Sequence, residues 1–201
     1  MPITGIKDTR KKQLIEATLA SVAEYGLQNT TINSISRLAG MSSGIISHYF
    51  GGKQGLIEAT VRQLLDELKL ALLSRTEGAP TSPQQRLMMI VEANFTEFQR
   101  SRPATKSWLS FWAQAMHDPS LARLQQVNSQ RLISNLTYSF RPLLGAEPAR
   151  IAARQTAAMI DGFWLRSALS ASPEQDFRDG EQLCKAFITD LLQHHGVTPC
   201  H

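Results

Sequence analysis

The segment Thr30 to Lys53, TTINSISRLAGMSSGIISHYFGGK, constrains this chain more than any other. Ile32, Ile35 and Leu38 recur at helical spacing, as do Ile45 with Tyr49 and Ile46 with Phe50. Gly40-Met41-Ser42 between the two patterns leaves room only for a tight turn, and Gly51-Gly52 breaks the second pattern just before Lys53. Two short amphipathic helices joined in this way form a helix-turn-helix, whose second helix is built to lie in the major groove of DNA.

The rest of the chain fits a helical protein with a real core. It has 201 residues, 42% of them hydrophobic, so global disorder is excluded. No apolar run reaches the roughly 18 residues of a membrane span. The opening MPITGIKDTRKK lacks the apolar stretch of a secretory signal. Cys184 and Cys200 have no metal-ligand spacing. A reduced, cytoplasmic protein without metal or cofactor is expected.

Charge is uneven along the sequence. Residues 1–53 hold Lys7, Arg10, Lys11, Lys12, Arg37 and Lys53 against Asp8, Glu16 and Glu24, so they carry +3 of the net +4. A local cationic excess beside a helix-turn-helix suits a polyanion, although a solvated charged face has the same composition.

Punctuation predicts about nine helices and no strands. The first runs from about Asp8 to Tyr25, with Ile15, Leu19 and Val22 on one face and Gly26 as its stop. Thr31 caps the second, which ends at Gly40, and Ser42 caps the third. The fourth, about Lys53 to Arg75, has a seam of Ile57, Val61, Leu64, Leu68 and Ala71. GAPTSP at 78–83 reads as a loop, followed by helices over about Pro83–Gln99 and Pro103–His117. Asp118-Pro119 is a cap followed by proline at the first helical position, opening a helix that ends near Gly145. Two more run from about Ala149 to Ser170 and from Asp176 to Gln193, and the tail after Gly196 is expected to fray. The fold class is all-α: a three-helix head over 1–52, with the helix-turn-helix at about 31–50, and a larger helical body over 53–201.

The head supplies candidate DNA contacts. Ser42, Ser43 and Gly44 are small enough to let a helix backbone approach a groove. Ser43, Ile45, Ser47 and His48 are expected to project outward, serines toward bases or phosphates and Ile45 toward a thymine methyl, while Ile46 and Phe50 point inward. His48 and Tyr49 suit phosphate, and packing against the first helix is the competing role for Tyr49. Thr31 and Lys12 complete the set. Cations near a helix N-terminus oppose the macrodipole, but a docked phosphate would make the charge and the free N–H groups act together. Lys12 with its neighbours Arg10 and Lys11, and Lys53, are read in that way. With no Arg, Asn or Gln on the second helix of the motif, DNA shape and water-mediated contacts are expected to contribute to readout.

Gly40, Ser42, Gly44, His48, Phe50, Lys53 and Leu56 resemble the DNA-binding signature of TetR-like bacterial repressors over about residues 8–57. Ser47 departs from it, standing where that family usually has a tyrosine that contacts phosphate. Four longer blocks, MPITGIKDTRKKQLIEATL, GIISHYFGGKQGLIEAT, KSWLSFWAQAMHDPSLARLQQVNSQRLISNL and AAMIDGFWLRSALS, resemble the choline-responsive branch of those repressors, which governs glycine-betaine biosynthesis. The resemblance implies repression of choline-to-betaine genes relieved by choline, a homodimer on operator DNA, and no enzymatic activity.

A cationic effector has candidate ligands here. A quaternary ammonium has no N–H to donate and is held by aromatic faces, sometimes with a carboxylate. Trp108 and Trp112 are four apart and share a helix face with Phe111 alongside. Asp161 and Trp164 lie three apart on a later helix. Ordinary core packing gives the same spacing, and Asp161 has an alternative structural role near a dimer interface, with Arg166 or a helix end as partner. Asn94 and Tyr138 are candidates for a ligand hydroxyl. Ala152, Ala153, Ala157, Ala158 and Gly162, with Leu183, Phe187 and Leu191, offer two helices for a dimer bundle or for packing within one chain. A different effector, an enzyme acting on choline, and a helical adaptor without DNA activity are the competing functions. No glycine-rich dinucleotide loop or nucleophile–base motif supports the enzyme.

Overall fold

A computed structural model describes residues 4–76 and 82–197. They are helical, with no strand among the described residues. In order the helices are α1 (Thr4–Asn29), α2 (Ile32–Ala39), α3 (Gly44–Phe50), α4 (Lys53–Thr76), α5 (Pro83–Asn94), α6 (Glu97–Arg100, a single turn), α7 (Arg102–Ala115), α8 (Pro119–Leu144), α9 (Ala146–Ala168) and α10 (Pro173–His194).

Local chemistry explains most of the boundaries. The Thr31 hydroxyl accepts from Ser34 N at 3.0 Å, and Ser34 Oγ accepts from Thr31 N at 2.9 Å, a reciprocal box that starts α2. Gly40 ends α2 in the left-handed conformation. Ser82 and Gln85 make the same reciprocal box for α5. Asp118 caps α8 as expected, accepting from Ser120 N and Leu121 N.

Three expectations change. α1 starts at Thr4, so Arg10, Lys11 and Lys12 lie beyond its first turn, where the macrodipole argument no longer reaches them. Gly26 halts the first helical stretch as expected, its φ of 76° and ψ of 161° being non-helical, and a short second stretch continues to Asn29. Ser43, not Ser42, occupies the N-cap of α3, with helical backbone and no side-chain cap bond. The helix expected over Pro83–Gln99 breaks at Phe95, which caps α5 with its ring buried at 1% exposure. The loop at 78–83 and the tail after Gly196 fall largely outside the described residues, as does Cys200.

Two compact units divide the chain at places other than residue 52. One comprises residues 1–66 and 101–125; the other comprises 67–100 and 126–201. The first therefore combines α1–α3 with the first half of α4, all of α7 and the start of α8. Its head core is Leu14, Ala17, Ile35, Ile46 and Leu56, covered by Ile15, Ile32, Ala39, Met41, Ile45, Tyr49 and Phe50. Ile57, Val61 and Leu64 of the α4 seam are buried as expected. α7 packs along α1, where Lys106 Nζ donates to Ala23 O at 2.6 Å.

In the second unit α9 packs along α10, and α5 joins α10. Phe177 sits edge-on to Phe95 and to Trp164, at 6.4 and 5.8 Å between centroids. Lys185 bridges Glu92 and Glu181, both at 2.8 Å, and Arg75 adds a 3.6 Å pair to Glu92. Burial pulls the Lys185 ammonium down, but the hydrogen bonds and charges of those two carboxylates outweigh it and raise it. Burial first, then Glu181, pushes the Cys184 thiol up to about 12, which makes it an inert core residue.

Candidate DNA-reading and effector sites

α3 is set by the glycines that follow it. Gly51 caps it at φ 72°, a left-handed conformation that turns the chain into α4 after two residues. α4 then passes so close to α3 that a Cβ on Gly55 would lie 1.9 Å from Phe50 O. Only glycine permits this approach. Lys53 is thereby placed at the first residue of α4, beside N–H groups that have no intrahelical partner.

On α3 itself Ser42, Ser43, Gly44, Ser47 and His48 are exposed, so their polar atoms remain available. Thr31 is exposed as well, its hydroxyl engaged in the α2 cap. Lys12 is exposed on α1. Ile45 differs from the outward reading, and Tyr49 follows its packing alternative: both are half-buried against the head core. The His48 ring lies 5.0 Å from that of Tyr49, tilted at 50°. Leu38, part of the α2 pattern, is 42% exposed, so the core face of α2 is narrower than its periodicity implied.

The aromatic candidates separate. Trp108, Phe111 and Trp112 form one cluster on α7, with Trp108 centroids 5.7 Å from Phe111 and 6.0 Å from Trp112. Trp108 and Phe111 are 3% and 2% exposed, while Trp112 is half-buried. The Trp112 indole N–H donates to Gln125 Oε1 at 3.1 Å, which fixes its ring plane. Of the three, Trp112 is the least buried.

Asp161 and Trp164 belong to the other unit. Trp164 is buried in the α9–α10 core. Asp161 is exposed to solvent, yet desolvation by the protein around it pushes its carboxyl up to about 6. The expected partner is absent: among the described residues neither Arg166 nor a helix end pairs with it. Asn94 spends its amide donor on Ile90 O at 2.8 Å. Tyr138 is 72% exposed, with the Arg86 guanidinium over its ring at 5.2 Å. Arg86 also donates to Asn135 O, Asn135 Oδ1 and Ser139 Oγ, so this corner of α5 and α8 is a structural clasp.

Ala152, Ala153 and Ala157 are buried within the chain, which removes them from an exposed small-residue stripe, whereas Ala158 is exposed. Ile151 and Leu165 on α9, Leu169 at its C-cap and Leu183 on α10 are the large apolar residues left exposed there. No group of three metal-ligating side chains occurs among the described residues, nor any helix long and apolar enough to cross a membrane.

The reading head, the inserted aromatic helix and the α9–α10 pair have counterparts in known proteins. Residues 14–60 match the model of bacterial regulatory proteins of the tetR family, and residues 83–193 match the C-terminal region of BetI-type transcriptional repressors. The chain is 49% identical over 193 residues to the HTH-type transcriptional regulator BetI of Escherichia coli K12, covering 96% of this chain and 98% of that one. It is 52% identical over 200 residues to the BetI of Klebsiella pneumoniae strain 342, covering 99% and 100%. Among solved structures, a putative transcriptional regulator from Saccharomonospora viridis in complex with choline has the same fold, with a TM-score of 0.76 at 18% identity, over 90% of this chain and 96% of that one. These relatives are regulators and not enzymes. The chain belongs to the TetR family of bacterial regulators and, within it, to the BetI-type transcriptional repressors, which bind DNA through a helix-turn-helix.

Proposed function

We propose that the chain represses the genes that convert choline to glycine betaine and leaves its operator when choline binds. The observation that carries this reading is the near-full-length identity to BetI regulators, which runs through the α7–α8 block and not only through the head. The Trp108–Phe111–Trp112 cluster supports it chemically, since aromatic faces attract a quaternary ammonium by about 0.5–2 kcal/mol. A chain of the same fold crystallised with choline supports the fold's capacity for such a ligand. Trp112 is the first effector contact in this reading, backed by Trp108 and Phe111; Asp161 and Trp164 remain secondary candidates.

On the DNA side, Ser42, Ser43, Gly44 and Ser47 approach the groove, His48 and Lys53 hold phosphates, and Lys12 and Thr31 flank them. Ile45 and Tyr49 support α3 from below, leaving only their outer edges for DNA. The protein acts in the cytoplasm as a two-fold dimer, with exposed Leu165, Leu169 and Leu183 as interface residues and two heads reading half-sites about 34–36 Å apart or a multiple of that. A coupling of about 1–3 kcal/mol between effector and operator loosens DNA roughly 5–150-fold.

Calorimetry against choline, betaine aldehyde and glycine betaine, paired with a gel-shift titration on the operator, tests the proposal. Choline should bind and release the DNA. Unchanged operator affinity at saturating choline would sink it and favour a different effector.

A further inference from the structure

One carboxylate in the first unit serves two helices. Asp118 Oδ1 accepts from Ser120 N and Leu121 N at 2.9 and 3.3 Å, capping α8. Asp118 Oδ2 accepts from Gln54 Nε2 at 2.6 Å, across 64 positions of sequence. Gln54 immediately follows Lys53 in the opening turn of α4. One turn further along α4, Glu58 Oε1 lies 2.9 Å from Ser120 Oγ, which is also 2.8 Å from Asp118 Oδ1. The turn between α7 and α8 is thus fastened to the DNA-facing turn of α4 by two adjacent side chains on each side. These bonds hold the Asp118 carboxyl below its ordinary range, the Ser120 hydroxyl contributing most.

The same α7 is fastened to the head at its other end through Lys106 and Ala23 O. Between the two attachments stand Trp108, Phe111 and Trp112. Trp112 in turn holds Gln125, beyond the Asp118 cap on α8. A helix fixed at both ends transmits a displacement of its middle to whatever holds its ends. A cap alone would need only Oδ1; the second oxygen is committed to a residue that has no part in α8.

We infer that Gln54 and Asp118 form a latch that couples the α7 aromatic cluster to the phosphate-facing turn of α4. Gln54 is a positioning residue: it touches neither effector nor DNA in this scheme and acts by fixing where Lys53 stands relative to α7. The inference rests on the effector reading given above for its physiological input, but the latch itself has a consequence that needs no effector. Coupling is reciprocal, so operator binding must be felt at Trp112 through the same bond.

Gln54→Met keeps the length of the side chain and removes the donor, and the Asp118 cap on α8 survives. The full-length protein is titrated with operator, with and without choline. The variant is expected to bind operator within about threefold of the parent, while the ratio of affinities with and without choline falls about fivefold, the worth of one such hydrogen bond. An unchanged ratio overturns the latch. Calorimetric choline binding, measured in parallel, separates this from a failure of the effector reading, in which the parent itself would neither bind choline nor show a ratio. In that event the second measurement decides. In a Trp164→Phe background, operator binding should shift the tryptophan emission from α7, and Gln54→Met should abolish that shift; an equal shift in both proteins overturns the latch without reference to choline.

Discussion

α3 and α7 belong to the same compact unit and use their side chains in opposite ways. α3 buries only Ile46 outright and leaves Ser47 and His48 in solvent. α7 buries Trp108 and Phe111 and leaves Trp112 partly open beside them. One helix holds polar atoms in reserve for a polyanion; the other hides large apolar surface that stabilises the unit. Substitutions on the two helices should therefore separate into effects on binding and effects on folding, and the strongest tests push that separation hardest.

The largest effect falls on the buried side. Trp108→Ala should lower unfolding free energy by about 3–5 kcal/mol, because it empties a core site. Denaturant titration measures this. The protein that remains folded should keep the parent's salt dependence of operator binding. A cost under about 1 kcal/mol would mean that the α7 cluster is not core and would erase the contrast with α3.

Gly55→Ala comes next and sits between the two classes. The added Cβ meets a backbone carbonyl, which cannot swing away as a side chain would. The expected cost is about 1–3 kcal/mol, concentrated in the α3–α4 junction. Operator affinity should fall by tenfold or more while helical circular dichroism at 25 °C (about room temperature) stays close to the parent's. Tolerance of alanine with full DNA affinity would show that α3 does not need its present approach to α4.

These two sites also mark what could be read from the sequence. The caps at Thr31 and Asp118 were legible, because a cap is a local bargain between one side chain and the next turn. The Trp108–Trp112 spacing was legible too, but not which ring would be the less buried, since that depends on what packs over α7. Gly55 escaped notice because its requirement comes from Phe50 O, delivered by the left-handed turn at Gly51. Gln54 and Asp118 are 64 positions apart, and nothing in either neighbourhood announces the other. The break at Phe95 carries no Gly or Pro, so only burial of that ring reveals it. The alanines of α9 were legible as small and uninformative about their side: Ala149, Ala152, Ala153 and Ala157 line the inside of the chain.

On the exposed side, Lys53→Ala should leave unfolding free energy within about 0.5 kcal/mol. Operator affinity should weaken on every sequence tested, and the slope of log affinity against log salt should fall by about 1, the signature of one lost phosphate contact. A changed base preference with an unchanged slope would place Lys53 off the backbone and revise the geometry of the head.

Asp161 supplies a pH test in the second unit. Its folded value of about 6 exceeds the ordinary 3.8, so the folded state holds a proton that the unfolded state has released. Its contribution to stability is complete below about 3.8 and is lost as pH rises through about 6. Asp161→Asn should remove that part of the pH dependence and leave the protein more stable than the parent above pH 6, by an amount reduced by the open edge of the side chain. Identical pH profiles for the two proteins would show that dimerisation or solvent already compensates the charge.

The smallest effect probes the boundary between the two behaviours within α7 itself. Ser107 is buried, and its Oγ has no hydrogen-bond partner among the described residues. It lines a cavity of about 20 Å³ with Val22, Ile57, Val61 and Phe111, while the neighbouring hydroxyls of Thr18 and Thr60 are satisfied by Leu14 O and Leu56 O. A buried hydroxyl without a partner costs about 1–3 kcal/mol, and trading it for a methyl forfeits almost no packing. Ser107→Ala should therefore raise unfolding free energy by about 1 kcal/mol, leaving choline and operator binding as they were. The opposite sign would mean that the hydroxyl is satisfied in solution, because a cavity of this size accommodates one water molecule. α7 would then carry a wet polar position on the side that faces α1 and α4, and its contrast with α3 would be one of degree.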